Sequence, residues 1–243
     1  MSEAYEYLAE WFEYLNDDCD YQKWSQYFVE GLGRLDAGKN GLELGCGSGA
    51  FSRALAKIGY EMTGVDLSAP MLTKAAALAA EEGLRIRFLQ GDARTLKAAS
   101  RFDFIIAPND CYNYLSPEEL PQAFKRAAAC LKKGGIFWFD ISSPCKLQKK
   151  VADNMFADDR DEVTYLSFNH LEGNRVTMNV TLFVRGKDGR FTRFDEVHTQ
   201  YIHEEAAVVS ALEKAGFTVL SVEGHLGEEK AESDRWNFLC KRV

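Results

Sequence analysis

Several features that would point to a specific class of protein are missing from this 243-residue chain. None of its six cysteines belongs to a Cys-x-x-Cys pair, which disfavours a zinc site or a redox motif and fits reduced, intracellular cysteines. No apolar run approaches the roughly 20 residues of a membrane span, and the N-terminus shows no basic-then-apolar signal pattern. We therefore expect a soluble cytoplasmic protein with no metal site and no membrane contact.

An excess of positive charge is also missing. The formal net charge is −8 at pH 7, so the average surface repels a nucleic-acid backbone. The one notable basic cluster, Lys146, Lys149 and Lys150, fits a solvated helix face. We expect a small-molecule partner and no nucleic acid, although a local basic face toward a tRNA or ribosomal target stays open.

What the chain does contain is a glycine-rich stretch, ELGCGSG at 43–49, between an apolar run and a helical pattern. This arrangement predicts a strand, a tight turn and a helix N-terminus. Glycine accepts a positive φ and lets a ligand approach bare backbone, and the helix dipole favours anionic or strongly polar groups. The same spacing satisfies the dinucleotide-binding fingerprint, and a turn that needs glycine only for packing would also produce it.

Strand and helix patterns alternate after this turn. Strands are predicted at 60–66, 85–89, 102–107 and 136–140, with helices over 71–81 and 116–131. Such an alternation predicts an α/β fold with a doubly wound, mainly parallel sheet. A helix at 204–215 and strands at 217–223 and 235–241 complete seven strands with an antiparallel edge.

Two segments fall outside this alternation. Residues 3–15 and 20–35 carry aromatic residues at helical spacing, and Asp20 can cap the second of these helices. Between 161 and 202 the hydrophobic period drops to two, which predicts a three-stranded antiparallel β insert. We therefore expect a helical lid (1–37), a Rossmann-like core (38–160 and 203–243) and the insert (161–202).

The insert leaves the sheet after the fifth strand and returns before the helix at 204. We expect it to roof an acceptor pocket together with the lid, and a ribbon that forms a homodimer is the alternative. Its apolar residues, Val176 to Val184, need a partner, whereas Glu196, His198 and Gln200 could face the pocket or water.

Polar residues follow several of the core strands. Asp66, Asp92, Asp140 and the run 109–114 each come at or just after a predicted strand end. Ligands of open α/β sheets bind at the carboxyl ends of the strands. The pattern suits a nucleoside, with its ribose at Asp66 and its base amine near Asp92.

At this point the chain resembles the class I S-adenosylmethionine-dependent methyltransferases. The resemblance is carried by ELGCGSG (43–49), VDLS (65–68), GDA (91–93) and AGF (215–217). It implies that S-adenosylmethionine is the cofactor, and small bacterial members with an N-terminal helix pair and a β insert are similar. The residues expected to bind the cofactor are Glu43, Gly45, Cys46, Gly47, Asp66, Leu67, Asp92, Ala93 and Asn109. The glycines would pack against the methionine part, Asp66 would bind ribose, Asp92 and Ala93 adenine, and Asn109 would line the methyl side.

The reaction implied by the resemblance is in-line methyl transfer to an oxygen or nitrogen atom. Positioning and desolvation can supply most of the rate, and a base is needed only for a protonated acceptor. The candidates for that role are Asp110, Tyr112 and His198. Three alternatives remain at this stage: a methyltransferase that acts on RNA or protein, an NAD(P)-dependent dehydrogenase, for which no Tyr-x-x-x-Lys pair is present, and an inactive cofactor-binding protein.

Overall fold

The computed structural model describes residues 4–97 and 101–243. The helices are α1 (Leu8–Leu15), α2 (Tyr21–Arg34), α3 (Ala50–Lys57), α4 (Ala69–Glu81), α5 (Leu120–Cys130) and α6 (Glu205–Lys214). The core strands are β1 (Asn40–Leu44), β2 (Glu61–Asp66), β3 (Arg87–Gln90), β4 (Phe102–Ala107), β5 (Leu131–Ser142), β10 (Phe217–Glu223) and β11 (Arg235–Arg242). The insert contains β6 (Met155–Asp159), β7 (Val163–Glu172), β8 (Arg175–Arg185) and β9 (Phe191–Tyr201).

The core strands form one seven-stranded sheet in the order β10-β11-β5-β4-β1-β2-β3. Strands β1 to β5 run parallel to one another, and β11 pairs antiparallel with both β5 and β10. The predicted doubly wound sheet with an antiparallel edge is confirmed. Because β1 and β4 are neighbours while β2 and β3 extend the other way, the chain reverses its winding direction between β1 and β4, where open α/β sheets bind ligands.

Both faces of this sheet are covered. On one face α2 and α3 bury Trp24, Phe28 and Leu55 against Trp138 of β5. On the other face α5 and α6 pack against the remaining apolar residues of the sheet. In the part of the chain that the structure describes, no helix is long and apolar enough to cross a membrane.

Several element boundaries differ from the sequence-based expectation. Helix α4 begins at Ala69, earlier than predicted, because the Ser68 hydroxyl accepts the N–H of Met71 and caps it. Helix α5 begins only at Leu120, because the Glu119 carboxylate accepts the N–H of Ser116 and residues 117–119 form a turn. Helix α1 begins at Leu8, and residue 3, where the first helix was predicted to begin, lies outside the described residues.

The insert is an antiparallel sheet as predicted, but it has four strands rather than three. The additional strand, β6, pairs with β7 and begins six residues before the predicted start at 161. The register also corrects the expected separation of faces. Val180 lies opposite Glu196 and Met178 lies opposite His198, so the apolar and polar side chains share one face.

This face of the insert is covered by α1. Leu8 packs with Val163, Val180 and Leu182 in a buried cluster. The contact supplies the partner that the apolar residues of β8 needed. Helix α1 therefore lies between the insert and the core.

Candidate active site

The glycine turn connects β1 to α3 at the carboxyl edge of the core sheet. Gly45, Gly47 and Gly49 have φ values of +65°, +52° and +78°, which residues with a Cβ seldom adopt. Gly49 is the N-cap of α3. The turn therefore places a helix N-terminus, with its favourable field for polar or anionic groups, at this edge.

The glycines of this turn serve different purposes. A Cβ at Gly45 would lie 2.4 Å from Sγ of Cys111, so glycine is needed there for packing. At Gly47 the nearest described atom outside the chain neighbours is Cε of Met71, 3.9 Å from the position of a Cβ. The open space beside Gly47 is what a ligand requires to approach the backbone, and it fits a bound cofactor.

Asp66 ends β2 beside the glycine turn. Its carboxylate accepts hydrogen bonds from the backbone N–H groups of Gly47 (2.7 Å) and Ser68 (2.8 Å). Burial raises the pKa of Asp66, and the backbone hydrogen bonds offset only part of that effect. A carboxylate oxygen can accept more than one hydrogen bond, so Asp66 retains capacity for hydroxyl donors. The next residue, Leu67, is 61% exposed at the same edge.

Glu43 lies beneath the turn, with 1% of its surface exposed. Its Oε2 accepts a hydrogen bond of 2.5 Å from the Ser52 hydroxyl of α3. Burial raises the pKa of Glu43 to about 8, while the hydrogen bond from Ser52 acts in the opposite direction. This position favours a role in shaping the turn, because Glu43 fastens α3 to β1.

Asp92 follows β3 and is held by an arginine two positions along. Nε of Arg94 lies 2.9 Å from both carboxylate oxygens of Asp92, and Nη1 lies 2.5 Å from Glu119 at the start of α5. The hydrogen bond from Arg94 lowers the pKa of Asp92. Arg94 therefore fixes the loop that contains Asp92 and Ala93, a role that was not predicted although the Asp-x-Arg spacing is visible in the sequence.

The loop after β4 is held in a left-handed conformation by a buried carboxylate. Asn109 and Asp110 have φ values of +62° and +52°, and their N–H groups donate to Asp140 at 2.6 and 3.1 Å. Arg235 of β11 donates to Asp140 (2.7 Å) and to the side chain of Asn109 (2.7 Å). Burial raises the pKa of Asp140, and the charge of Arg235 opposes this effect. The sequence did not reveal Arg235, because only the pairing of β11 with β5 brings it here.

A lysine reaches the same loop. The Ser142 hydroxyl donates to Asp110 (2.8 Å), and Nζ of Lys146 donates to the Ser142 oxygen (3.2 Å). Burial lowers the pKa of Lys146. The expectation of a solvated helix face at 146–150 is therefore wrong for Lys146, whose side chain is 24% exposed, and right for Lys150, which is 59% exposed.

A chain of hydrogen bonds joins the N-terminal segment, the loop after β4 and the insert. The Tyr5 hydroxyl lies 2.8 Å from the Tyr114 hydroxyl, which lies 3.2 Å from Nδ1 of His198. Nε2 of His198 lies 3.0 Å from Oε2 of Glu196. His198 and Glu196 are 3% and 1% exposed, whereas Tyr5 and Tyr114 are half-buried, so the histidine–glutamate end of this polar chain is the buried end. It links a candidate base to a carboxylate and to two phenolic hydroxyls.

The remaining predicted residues occupy less accessible positions. Tyr112 is fully buried, and its ring stacks on Phe124 at 5.1 Å, so its position favours core packing over contact with an acceptor. Tyr114, two positions along the chain, is the tyrosine whose hydroxyl lies beside His198. Cys46 is buried within the glycine turn, and burial raises the pKa of its thiol well above the ordinary value. The structure thus brings Asp110 and His198 toward one edge and leaves Tyr112 in the core.

The sequence of this chain is similar to those of known methyltransferases. The family model described as a methyltransferase domain matches residues 42–135. A protein of Geobacillus sp. (strain WCH70), named as a methyltransferase, is 35% identical over 98% of this chain and 100% of its own length.

Solved structures share the whole architecture. An S-adenosylmethionine-dependent methyltransferase from Clostridium acetobutylicum ATCC 824 superposes with a TM-score of 0.89 at 29% identity over 98% of both chains. A sugar N-methyltransferase from Streptoalloteichus sp. ATCC 53650 has a TM-score of 0.83 at 19% identity, over 100% of this chain and 95% of that one. The second likeness concerns the fold alone.

Proposed function

We propose that this chain, which belongs to the class I S-adenosylmethionine-dependent methyltransferases, methylates an oxygen or nitrogen atom of a small-molecule acceptor. The observation that carries this proposal is the hydrogen-bonded chain Tyr5–Tyr114–His198–Glu196 beside the carboxyl edge of the core sheet. A base is useful only when the acceptor loses a proton during transfer, as an alcohol, a phenol or an ammonium group does.

We assign the cofactor to the edge formed by the glycine turn and the ends of β2, β3 and β4. When bound there, S-adenosylmethionine supplies a methyl group that its sulfonium charge has already activated. Asp66 would accept hydrogen bonds from the ribose hydroxyls, and the open backbone at Gly47 would face the cofactor. The other residues of the proposed set are Glu43, Gly45, Cys46, Leu67, Asp92, Ala93 and Asn109, with Glu43 shaping the turn from below.

The hydrogen-bond chain can accept a proton at its outer end. Ionised Glu196 requires the hydrogen of His198 on Nε2, which leaves Nδ1 as an acceptor for the Tyr114 hydroxyl. Tyr114 in turn accepts from the Tyr5 hydroxyl. A proton from the acceptor can thus reach His198 through two hydroxyls, each of which gains one hydrogen and gives up another.

Asp110 would contribute to acceptor binding rather than to proton uptake. It accepts from Ser142 at 2.8 Å and lies 3.5 Å from Arg235 and 3.9 Å from Lys146. A carboxylate at this place is suited to orient a hydroxyl or an ammonium group of the acceptor.

The lid (1–37) and the insert (161–202) would enclose the acceptor. Glu13 of α1 pairs with Arg53 of α3 at 2.7 Å, and Arg160 pairs with Asp17 at 2.9 Å. The N-terminal segment is thereby attached to the core through α1 and, just after α1, to the connection between β6 and β7. A pocket enclosed in this way, on a protein with a net charge of −8, would favour a small acceptor over a nucleic acid. The fold shared with a sugar N-methyltransferase agrees with this choice.

Two measurements test the proposal. Isothermal titration should show binding of S-adenosylmethionine and none of NAD. Turnover should be sought with amino sugars, phenols and alcohols, with a tRNA as the comparison, and followed by release of S-adenosylhomocysteine.

His198→Gln should lower turnover by about 10²- to 10⁴-fold and leave cofactor affinity unchanged, because general base catalysis contributes about that much. His170→Gln, at a histidine side chain that is 72% exposed, is the matched control. Methylation of the tRNA alone, or full activity of His198→Gln, would contradict the proposal.

A further inference from the structure

The carboxylate of Glu196 is the point at which the N-terminal segment meets β9. Its Oε1 accepts the N–H of Leu8 (2.7 Å) and also the N–H of Tyr7, while Oε2 accepts the N–H of Tyr5 (3.0 Å). The same Oε2 lies 3.0 Å from Nε2 of His198. One buried carboxylate therefore binds three backbone groups of residues 5–8 and the ring of the candidate base.

We propose that Glu196 is a positioning residue that orients His198 only when residues 4–8 are docked on the insert. The inference rests on the proposed function, in which His198 takes up the proton of the acceptor. Tyr5 reaches the site in the same docked segment, so docking and assembly of the hydrogen-bond chain occur together.

The physical reason is the cost of a buried charge. Glu196 is 1% exposed, so its charge needs several donors in place of water. Burial raises the pKa of Glu196, but the hydrogen bonds from His198, Leu8 and Tyr7 outweigh burial and bring its pKa below the ordinary value. The first N–H groups of α1 also direct the positive end of the helix dipole at this carboxylate.

Undocking the segment would remove three of the four donors. The carboxylate would then turn to water or take up a proton, and in either case it would no longer hold the hydrogen of His198 on Nε2. Nδ1 would lose its defined role as the acceptor for Tyr114, and the contact between the Tyr5 and His198 rings, 4.8 Å between centroids, would be lost as well. The base is therefore complete only in the closed arrangement.

Further contacts hold the docked segment to the core. Ser68 lies two positions after Asp66, and its hydroxyl donates a hydrogen bond to the carbonyl oxygen of Tyr5 at 3.1 Å. Lys74 of α4 donates to the carbonyl of Glu10. Because Ser68 adjoins the proposed ribose site, the cofactor would favour the same docked arrangement.

The test uses the full chain with Glu196→Gln, and Glu162→Gln, at an exposed glutamate of the insert, as the matched control. Glutamine keeps the size of the side chain but loses the charge and one acceptor oxygen. Amide hydrogen exchange at Tyr5, Tyr7 and Leu8 should accelerate at least about tenfold, because each N–H loses its hydrogen bond to a charged acceptor. The ¹⁵N shifts of the His198 ring should lose the pattern of a single Nε2–H tautomer.

Kinetics provide the third readout. In Glu196→Gln kcat should fall about 10- to 100-fold, part of the contribution of a general base, while KM for the acceptor changes little. Unchanged amide exchange together with unchanged His198 shifts would overturn the inference. Full activity of His198→Gln would instead overturn the proposed function, so the two failures are distinguishable. Should Glu196→Gln fail to fold, Glu196→Asp retains the charge on a shorter side chain and gives the same readouts.

Discussion

The hydroxyl oxygens of Tyr5 and Tyr114 lie 2.8 Å apart, although 109 positions separate the two residues in the chain. Tyr5 belongs to the segment before α1, and Tyr114 belongs to a short 3₁₀ helix that follows β4. Their hydrogen bond therefore connects the proposed lid directly to the carboxyl edge of the core sheet. Tyr5 adopts a φ of +62°, which shows that tertiary contacts hold this backbone in a left-handed conformation.

Removing only the Tyr5 hydroxyl tests this link. Tyr5→Phe should lower the rate of methyl transfer by about 10²-fold or more, because the outer end of the proton path is lost. The ring stays, so its edge contact with Phe12 should keep the segment docked and the cofactor affinity unchanged. Tyr7→Phe, at a ring that is 37% exposed, is the control and should retain full turnover. Equal rates for both variants would show that the Tyr5 hydroxyl has no part in transfer.

Asp66→Ala should weaken S-adenosylmethionine binding at least about tenfold, since each hydrogen bond to a charged group contributes about 1.5–3 kcal/mol. The variant also removes the acceptor that holds the N–H of Gly47. Asp66→Asn keeps one acceptor oxygen, and we expect it to bind with intermediate affinity. Isothermal titration measures the dissociation constant of the wild type and of both variants. An unchanged dissociation constant for Asp66→Ala would rule out the ribose assignment.

Gly47→Val should abolish cofactor binding in a folded protein. The valine side chain would enter the open space beside the turn and would impose a strained left-handed conformation. Gly83→Val is the matched control, because Gly83 also has a positive φ (+68°) and has no neighbour within 4 Å of its Cβ position, but it follows α4 away from the site. The two variants should lose similar stability, and only Gly47→Val should lose the cofactor. Micromolar binding by folded Gly47→Val would contradict the proposed site.

The raised pKa of Glu43 predicts that the free energy of unfolding depends on pH. Its folded pKa of about 8 exceeds the ordinary value of 4.5, so the folded protein binds more protons than the unfolded chain between these values. The stabilising contribution is therefore fully present below pH 4.5 and is lost as the pH rises through 8. The slope is at most about 1.4 kcal/mol per pH unit for one group.

Urea unfolding of the wild type and of Glu43→Gln at several pH values measures this contribution. Glutamine can still accept the hydrogen bond from Ser52 but does not titrate. The free energy of unfolding of the wild type should decline relative to the variant between pH 5 and pH 8, limits that follow from the two pKa values. A constant difference across this interval would refute the raised pKa.

Arg235→Met should lower the free energy of unfolding by about 3–5 kcal/mol, because it leaves the buried charge of Asp140 without its cation. The double variant Arg235→Met with Asp140→Asn should recover part of this loss, since no buried charge remains unpaired. Arg190→Met disrupts an exposed ion pair with Asp188 and should change stability little. Equal effects of Arg235→Met and Arg190→Met would mean that the Asp140 network does not stabilise the fold.

The elements that were predicted correctly depend on interactions between residues that are close along the chain. Asp20 caps α2 by accepting the N–H of Lys23 at 2.9 Å, as its position before an amphipathic pattern indicates. The alternation of strands and helices predicted the sheet, since hydrophobic periodicity reports which face of an element is buried. Strand β6 was missed, because its sequence MFADD is short, acidic and exposed at an edge.

The choice between Tyr112 and Tyr114 shows where local information ends. Both lie in the same short 3₁₀ helix, and the sequence does not distinguish them. The packing of α5 against β5 draws Tyr112 into the core, where it contacts Phe124 and Phe137. Tyr114 is left facing His198 and Tyr5.

The sequence by itself determined the α/β fold and the edge at which the cofactor would bind, because the glycine turn and Asp66 follow from interactions between residues close along the chain. Only the tertiary structure decided how the site is completed. The partners of Glu196 lie 188 or more positions away at Leu8 and Tyr5, and Arg235 lies 95 positions from Asp140. Such contacts depend on strand register and on the docking of separate segments. Because an unpaired buried charge is costly, burial favours the arrangement in which each of these charged groups has a partner.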